Sequence, residues 1–142
     1  EEDAVGALAS RRANVEALGF QSGDALEEVL AGAEFLVMPS INYEGFPKAV
    51  AEGYARGLPV LASRLGTLAE VIEDGVTGRL VPHADPAALA DAAKAMLADR
   101  DQLAVMRRNA RRAYETKYNA EANYERLMEV YQIAIEHHAQ RK

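Results

Sequence analysis

The stretch Phe35-Leu-Val-Met-Pro-Ser-Ile-Asn-Tyr-Glu44-Gly-Phe-Pro-Lys-Ala-Val-Ala-Glu52-Gly-Tyr-Ala-Arg-Gly-Leu-Pro-Val-Leu-Ala-Ser63 decides the fold. It opens on a short apolar run, Phe35 to Met38, closed by Pro39-Ser40, which reads as a buried strand. Ile41 to Phe46 carries Asn, Tyr and Gly and reads as a loop. Pro47 suits the first turn of a helix, because its missing N–H would be unpaired there in any case. That helix is expected to run to about Arg56 and to stop at Gly57, with Pro59-Val60-Leu61-Ala62 as the next strand. Strand, crossover helix and strand in this order are the sequence form of a parallel sheet covered by helices.

The same alternation continues outward in both directions. Upstream, a helix is expected from about Ala4 to Arg12, then a strand from Val15 to Phe20, then a helix capped by Asp24 that carries Leu26, Val29 and Leu30 and stops near Gly32. Downstream, a brief helix is expected from Thr67 to Glu73 and a strand from Gly78 to Val81. Asp85-Pro86 reads as an N-cap followed by a first-turn proline, opening a helix through Leu89, Ala93 and Leu97. Two more helices, near Gln102 to Lys117 and Ala120 to His138, complete the chain. The fold class is α/β, a Rossmann-like parallel sheet of about four strands flanked by helices. A strand arriving directly after a helix reads as the later part of a doubly wound sheet.

Composition bounds the function. At 142 residues, 49% hydrophobic and 27% charged, Glu1–Lys142 is expected to form a single globular domain. Cysteine is absent, which removes disulfides, thiolate catalysis and Cys-ligated metal, and makes a reducing, cytoplasmic home the natural expectation. A net charge of −6 argues against a nucleic-acid partner, since such proteins displace phosphate counterions with basic surface. No apolar run approaches the roughly 20 residues that span a bilayer, and the opening Glu1-Glu2-Asp3 lacks a basic leader.

Neither the Gly-x-Gly-x-x-Gly fingerprint nor the P-loop occurs, so any nucleotide site must be built another way. In open parallel sheets ligands bind beyond the carboxyl ends of the strands. Pro39 to Phe46, Ser63 to Thr67 and Val81 to Asp85 are the loops that reach that edge. The first ends on a helix N-terminus whose free amides and positive dipole suit phosphate. Lys48 adds a cation, and Gly45 allows close backbone approach. Glu44 and Glu52 are separated by seven residues, and two carboxylates on one crevice can accept hydrogen bonds from the paired hydroxyls of a ribose or sugar ring. On pattern alone, a loop acid and a solvated helix residue remain the alternative.

The quoted segment resembles the donor-binding segment of family 4 retaining glycosyltransferases, which have the GT-B fold. The resemblance continues through Glu70-Val-Ile-Glu-Asp-Gly75-Val-Thr-Gly78-Arg-Leu-Val-Pro82 and Asp85-Pro86 into the closing helices. The ordered set of Pro-Ser, Glu-Gly-Phe-Pro, the second Glu, Gly-Leu-Pro-Val and Asp-Gly-x-Thr-Gly is far more specific than any one piece. It implies the incomplete C-terminal half of a GT-B fold, binding a nucleoside-diphosphate-sugar donor. Glu44 would contact donor-sugar hydroxyls as the catalytic residue, and Glu52 would hold the ribose. The backbone around Gly45, Phe46, Pro47, Lys48 and Ala49 would lie against sugar and diphosphate. It further implies hexosyl transfer with retention, with no metal and no cofactor, to an unnamed acceptor hydroxyl on a glycan, lipid or small molecule.

Departures from the family pattern qualify that implication. Its basic pair for the diphosphate lies on an upstream strand–helix unit that this chain does not contain, as does its N-terminal acceptor lobe, so this chain alone is expected to be inactive. Gly53-Tyr54 stands where Ala-Met is usual, and Arg64-Leu65-Gly66-Thr67 where an acid and paired glycines are frequent. The reading from another class is a non-catalytic nucleotide- or partner-binding module.

Other features have ordinary readings. His83 has no partner at metal spacing, and His137-His138 read as solvated. Arg107, Arg108, Arg111 and Arg112 read as a solvated helix face, against the alternative of an acidic lobe or anionic lipid at an inner membrane surface. Tyr124, Leu127, Met128, Tyr131 and Ile135 form a stripe at helical spacing. It is expected to pack onto this domain, with exposure to a missing lobe and self-association as the alternative.

Overall fold

The computed structural model describes residues 2–43 and 45–139. The chain divides into two compact units, Glu1–Gly32 and Ala33–Lys142. The first holds helices α1 (Glu2–Ala9) and α2 (Gly23–Ala31). The expected strand from Val15 to Phe20 does not form. An extended segment becomes a strand only with a ladder partner, and here Gly19 turns to a φ of 63° while Leu18 and Phe20 are left exposed. α2 also begins earlier than expected: Ser22, not Asp24, is its N-cap, and Asp24 lies in the first turn, where a carboxylate still complements the helix dipole.

The second unit follows the predicted alternation. It runs β1 (Leu36–Met38), α3 (Lys48–Ala55), β2 (Val60–Ser63), α4 (Gly66–Val71), β3 (Gly78–Val81), α5 (Pro86–Ala98), α6 (Arg100–Ala113), a π-helical turn (Tyr114–Tyr118) and α7 (Ala120–Ala139). The strands pair in the order β1-β2-β3, all parallel, with Leu36 opposite Val60 and Val60 opposite Gly78. This is the Rossmann-like arrangement anticipated, with three strands among the described residues in place of about four.

β2 is buried along its whole length, as a central strand covered on both faces must be. Its side chains alternate between two cores. Val60 and Ala62 join Val50, Tyr54, Leu68, Ile72, Leu80 and Ala110 on one face. Leu61 joins Val81, Met96, Leu103 and Met106 on the other. α6 therefore serves both cores, through Ala110 to one and Leu103 and Met106 to the other.

Caps set the remaining boundaries. Asp85 accepts the Ala88 N–H at 2.9 Å and opens α5, as its sequence predicts. Asp99 does the same for α6 with Gln102 at 2.9 Å. The helix expected to continue to Lys117 instead widens at Tyr114 into the π-helical turn. Asn119, extended, then caps α7 by accepting the Ala122 N–H at 2.7 Å.

The helix α7 does not pack onto its own unit as expected. It meets the π-helical turn at its base, and Tyr124, Leu127, Met128, Tyr131 and Ile135 are all exposed, as are Val130 and Ile133 on another face. No helix among the described residues is long and apolar enough to cross a membrane.

Candidate functional site

The loop that follows β1 leads from Pro39 to Pro47 and delivers the chain to the N-terminus of α3. Pro47 sits one position earlier than expected, as the N-cap, with an extended φ of −76° and ψ of 101°. It is buried, while its neighbours Gly45, Phe46 and Lys48 are exposed and Ala49 is half-buried. The first bond of the helix runs from the Val50 N–H to the Pro47 carbonyl at 3.0 Å. The Lys48 and Ala49 amides precede it, and such leading amides are the groups that receive anions at helix N-termini.

Lys48 and Glu52 lie four residues apart on α3, hence on one face, and both are exposed. The opposite face is anchored by Val50 and Tyr54, each fully buried. Amphipathic spacing therefore aims the polar residues outward and packs the helix through Val50 and Tyr54 against Val60 and Ala62 of β2. Glu44, the expected contact for the donor sugar, lies outside the described residues. The structure thus brings Gly45, Phe46, Pro47, Lys48, Ala49 and Glu52 onto one loop–helix junction at the carboxyl edge of β1.

The neighbouring loop after β2 resolves the Arg64-Leu65-Gly66-Thr67 departure. Arg64 donates to Asp74 Oδ2 at 2.7 Å, Arg79 pairs with Asp74 Oδ1 at 3.3 Å, and the Leu80 N–H donates to the same Oδ1 at 3.0 Å. Arg64 thus pairs with the Asp74 turn at the surface. A pocket of about 190 Å³ opens at the same sheet edge, lined by Pro39, Ser63, Val81, Pro82, Asp85 and Leu89 among others. His83 is exposed beside it. Among the described residues no three His, Asp or Glu side chains gather in a metal-binding group.

Sequence reasoning missed the ring contacts behind the junction. Phe46 stands 5.6 Å from Tyr118, centroid to centroid, and Tyr118 stands 6.0 Å from Tyr54. No sequence signal marks the π-helical turn that presents Tyr118, since the one extra residue it takes up leaves no residue pattern of its own. Burial pushes the Tyr54 phenol up to about 12, against the opposing pull of its hydrogen bond to Thr77, and burial raises Tyr118 as well.

The arginine stripe is only half a solvated face. Arg107 donates to the carbonyls of Ala33 at 3.0 Å and Glu34 at 2.9 Å. Arg111 donates to the Ala55 carbonyl at the end of α3 and pairs with Glu115. Arg108 and Arg112 remain exposed.

Comparison with known proteins places these features. The family model described as glycosyl transferases group 1 matches residues 1–99. A D-inositol 3-phosphate glycosyltransferase of Corynebacterium urealyticum is 35% identical over 108 residues, 76% of this chain and 25% of that protein. The amylovoran biosynthesis glycosyltransferase AmsK of Erwinia amylovora is 31% identical, over 82% of this chain and 30% of its own length. Among solved structures, sucrose-phosphate synthase from Thermosynechococcus elongatus superposes with a TM-score of 0.82 at 29% identity, covering 94% of this chain and 34% of that one. HepE from Anabaena, solved with UDP, shares the fold with a TM-score of 0.82 at 21% identity, over 92% of this chain and 36% of that chain. The chain spans about a quarter to a third of the length of the curated relatives named here. Its three-stranded parallel sheet with helices on both faces is the C-terminal domain architecture of GT-B glycosyltransferases, and the chain belongs to the glycosyl transferases group 1 family.

Proposed function

We propose that this chain supplies the donor side of a retaining, family 4 glycosyltransferase that uses a nucleoside-diphosphate sugar. The observation that carries the reading is the junction of the 39–47 loop with α3. There the leading amides of Lys48 and Ala49, the Lys48 cation and the Glu52 carboxylate share one exposed edge of the sheet. A diphosphate sits against the helix N-terminus and Lys48. Glu52 accepts hydrogen bonds from the ribose hydroxyls, and Glu44 from the donor sugar. The sugar passes to an acceptor hydroxyl with retention and without a divalent metal, as the resemblance implies, and the transferred group is a hexose.

The HepE structures hold UDP and UDP-glucose, which makes a uridine diphosphate sugar the first donor to try. Several relatives are named for inositol-type acceptors, as D-inositol 3-phosphate glycosyltransferase or phosphatidyl-myo-inositol mannosyltransferase, which makes such a polyol the first acceptor to try. Little turnover is expected from this chain alone. Charge growing on the leaving diphosphate needs preorganised cations, and the reacting groups need positioning from both sides. Peripheral contact with anionic lipid at the inner membrane surface is supported by Arg108 and Arg112, and a liposome sedimentation assay with no dependence on anionic lipid removes it.

The test is an NMR titration of the chain with UDP, GDP, ADP and their glucose conjugates, repeated with Glu52→Ala. One nucleotide is expected to bind, and the variant to bind it about tenfold to a hundredfold more weakly, the worth of hydrogen bonds to a charged group. Equal affinity in the variant overturns the ribose role. Binding of none overturns the donor reading for this chain.

A further inference from the structure

The loop between β1 and α3 is held by aromatic contacts at two of its described residues, Tyr43 and Phe46. On one side, the Tyr43 ring lies against Gly66 at the start of α4. A Cβ at Gly66 would stand 2.8 Å from Tyr43 Cδ1, closer than real Cβ atoms approach, and 3.4 Å from Cε1. Gly66 also holds a φ of 49°, a conformation glycine adopts at no steric cost. Two separate constraints therefore ask for glycine at the point where Tyr43 rests.

On the other side, three rings form a relay. The Phe46 ring is tilted 37° to Tyr118 at 5.6 Å, and Tyr118 is tilted 49° to Tyr54 at 6.0 Å, within the range of favourable aromatic pairs. Tyr54 is the fixed end. It is fully buried, and its hydroxyl donates to Thr77 Oγ1 at 2.7 Å, which also receives the Glu73 N–H at 3.0 Å. Tyr118 is the middle link because α6 gives way to the π-helical turn just before it. The extra residue of a π turn changes which way the following side chains face, and such turns recur at functional sites.

We propose that Tyr118 and Gly66 are positioning residues for the 41–47 loop. They hold Tyr43 and Phe46, and so present these described loop residues to the donor sugar already ordered. The consequence for sugar binding rests on the donor reading above; the ordering of the loop does not. Ile41, Asn42, Tyr43, Gly45 and Phe46 are all exposed, so without the two brackets the loop samples many conformations. Each binding event then bears the entropy of ordering it. The ring of Tyr118 is what the relay uses, so Tyr118→Phe keeps it and Tyr118→Ala removes it.

The experiment measures backbone amide relaxation of the loop, together with UDP-glucose affinity, in the wild-type chain, Tyr118→Phe, Tyr118→Ala and Gly66→Ala. Loop amides are expected to be ordered in the wild type and Tyr118→Phe, and to gain fast motion in Tyr118→Ala. Affinity is expected to fall about threefold to tenfold in Tyr118→Ala, the worth of one aromatic pair, and to be unchanged in Tyr118→Phe. Gly66→Ala is expected to shift the Tyr43 ring resonances and mobilise the loop. A folded Tyr118→Ala whose loop amides match the wild type overturns the proposal. Should Tyr118→Ala fail to fold, Phe46→Leu removes the same contact from the exposed side and takes its place. A wild-type chain that binds no nucleotide sugar defeats the donor reading alone, and the relaxation data still decide the bracket.

Discussion

Tyr54 is the residue whose placement most changes its chemistry. A phenol with no exposed surface must bond its hydroxyl or lose stability, and Thr77 supplies the acceptor. Burial raises its pKa to about 12, whereas an unfolded phenol titrates near 10, roughly. Between those values the folded chain keeps a proton that the unfolded chain has released. The group's contribution to stability is therefore complete below about pH 10 and is lost as pH rises toward 12, by at most about 1.4 kcal/mol per pH unit. Urea melts of the wild type and Tyr54→Phe at pH 8 through 11 test this. The wild type is expected to lose stability faster than the variant above pH 10, and parallel curves would refute it. At pH 8 the variant is expected to be about 1 kcal/mol less stable through the lost hydrogen bond.

At the scale of elements, β3 depends on a single missing side chain. A Cβ on Gly78 would fall on the Val60 carbonyl oxygen of β2, and Val60 is the residue paired with Gly78 in the ladder. Gly78→Ala must push the two strands apart at their first pair, so a loss of about 3 kcal/mol or more is expected, at the upper end of overpacking costs. A shift of the denaturation midpoint too small for that figure would show that the strand start yields freely. The same turn carries the Asp74 cluster with Arg64 and Arg79. Those ion pairs are partly exposed, and pairs of that kind contribute little individually. The strand's position therefore rests on backbone pairing and on burial of Leu80 and Val81.

At the scale of the molecule, α7 finds no matching surface among the described residues. A helix with apolar residues on more than one face is ordinarily buried, yet Leu127, Val130, Tyr131, Ile133 and Ile135 are all exposed. Exposed apolar area of this kind drives association. Light scattering on size-exclusion fractions is expected to show a mass above the monomer's 15.4 kDa that rises with concentration. Leu127→Glu combined with Ile135→Glu is expected to restore the monomer. A wild-type monomer at every concentration would refute the expectation.

By itself the sequence determined the order of β1, α3, β2, α4, β3 and α5, because short apolar runs, prolines and capping acids are local signals. Asp85 caps as read, and Phe35 to Ser63 folds as strand, loop, helix and strand. The glycosyltransferase family was legible in the same segment, where the Gly-Phe-Pro turn and Glu52 are adjacent on one loop–helix junction. Tertiary structure decided what depends on partners distant in sequence. Val15 to Phe20 is apolar enough for a strand but has no ladder partner among the described residues. Arg107 and Arg111 are charged enough for solvent, but backbone carbonyls of Ala33, Glu34 and Ala55 lie within their reach. Tyr118 reaches Phe46 through a π-helical turn that no residue pattern announces. Periodicity records which face of an element is apolar; only the packed chain settles what that face meets.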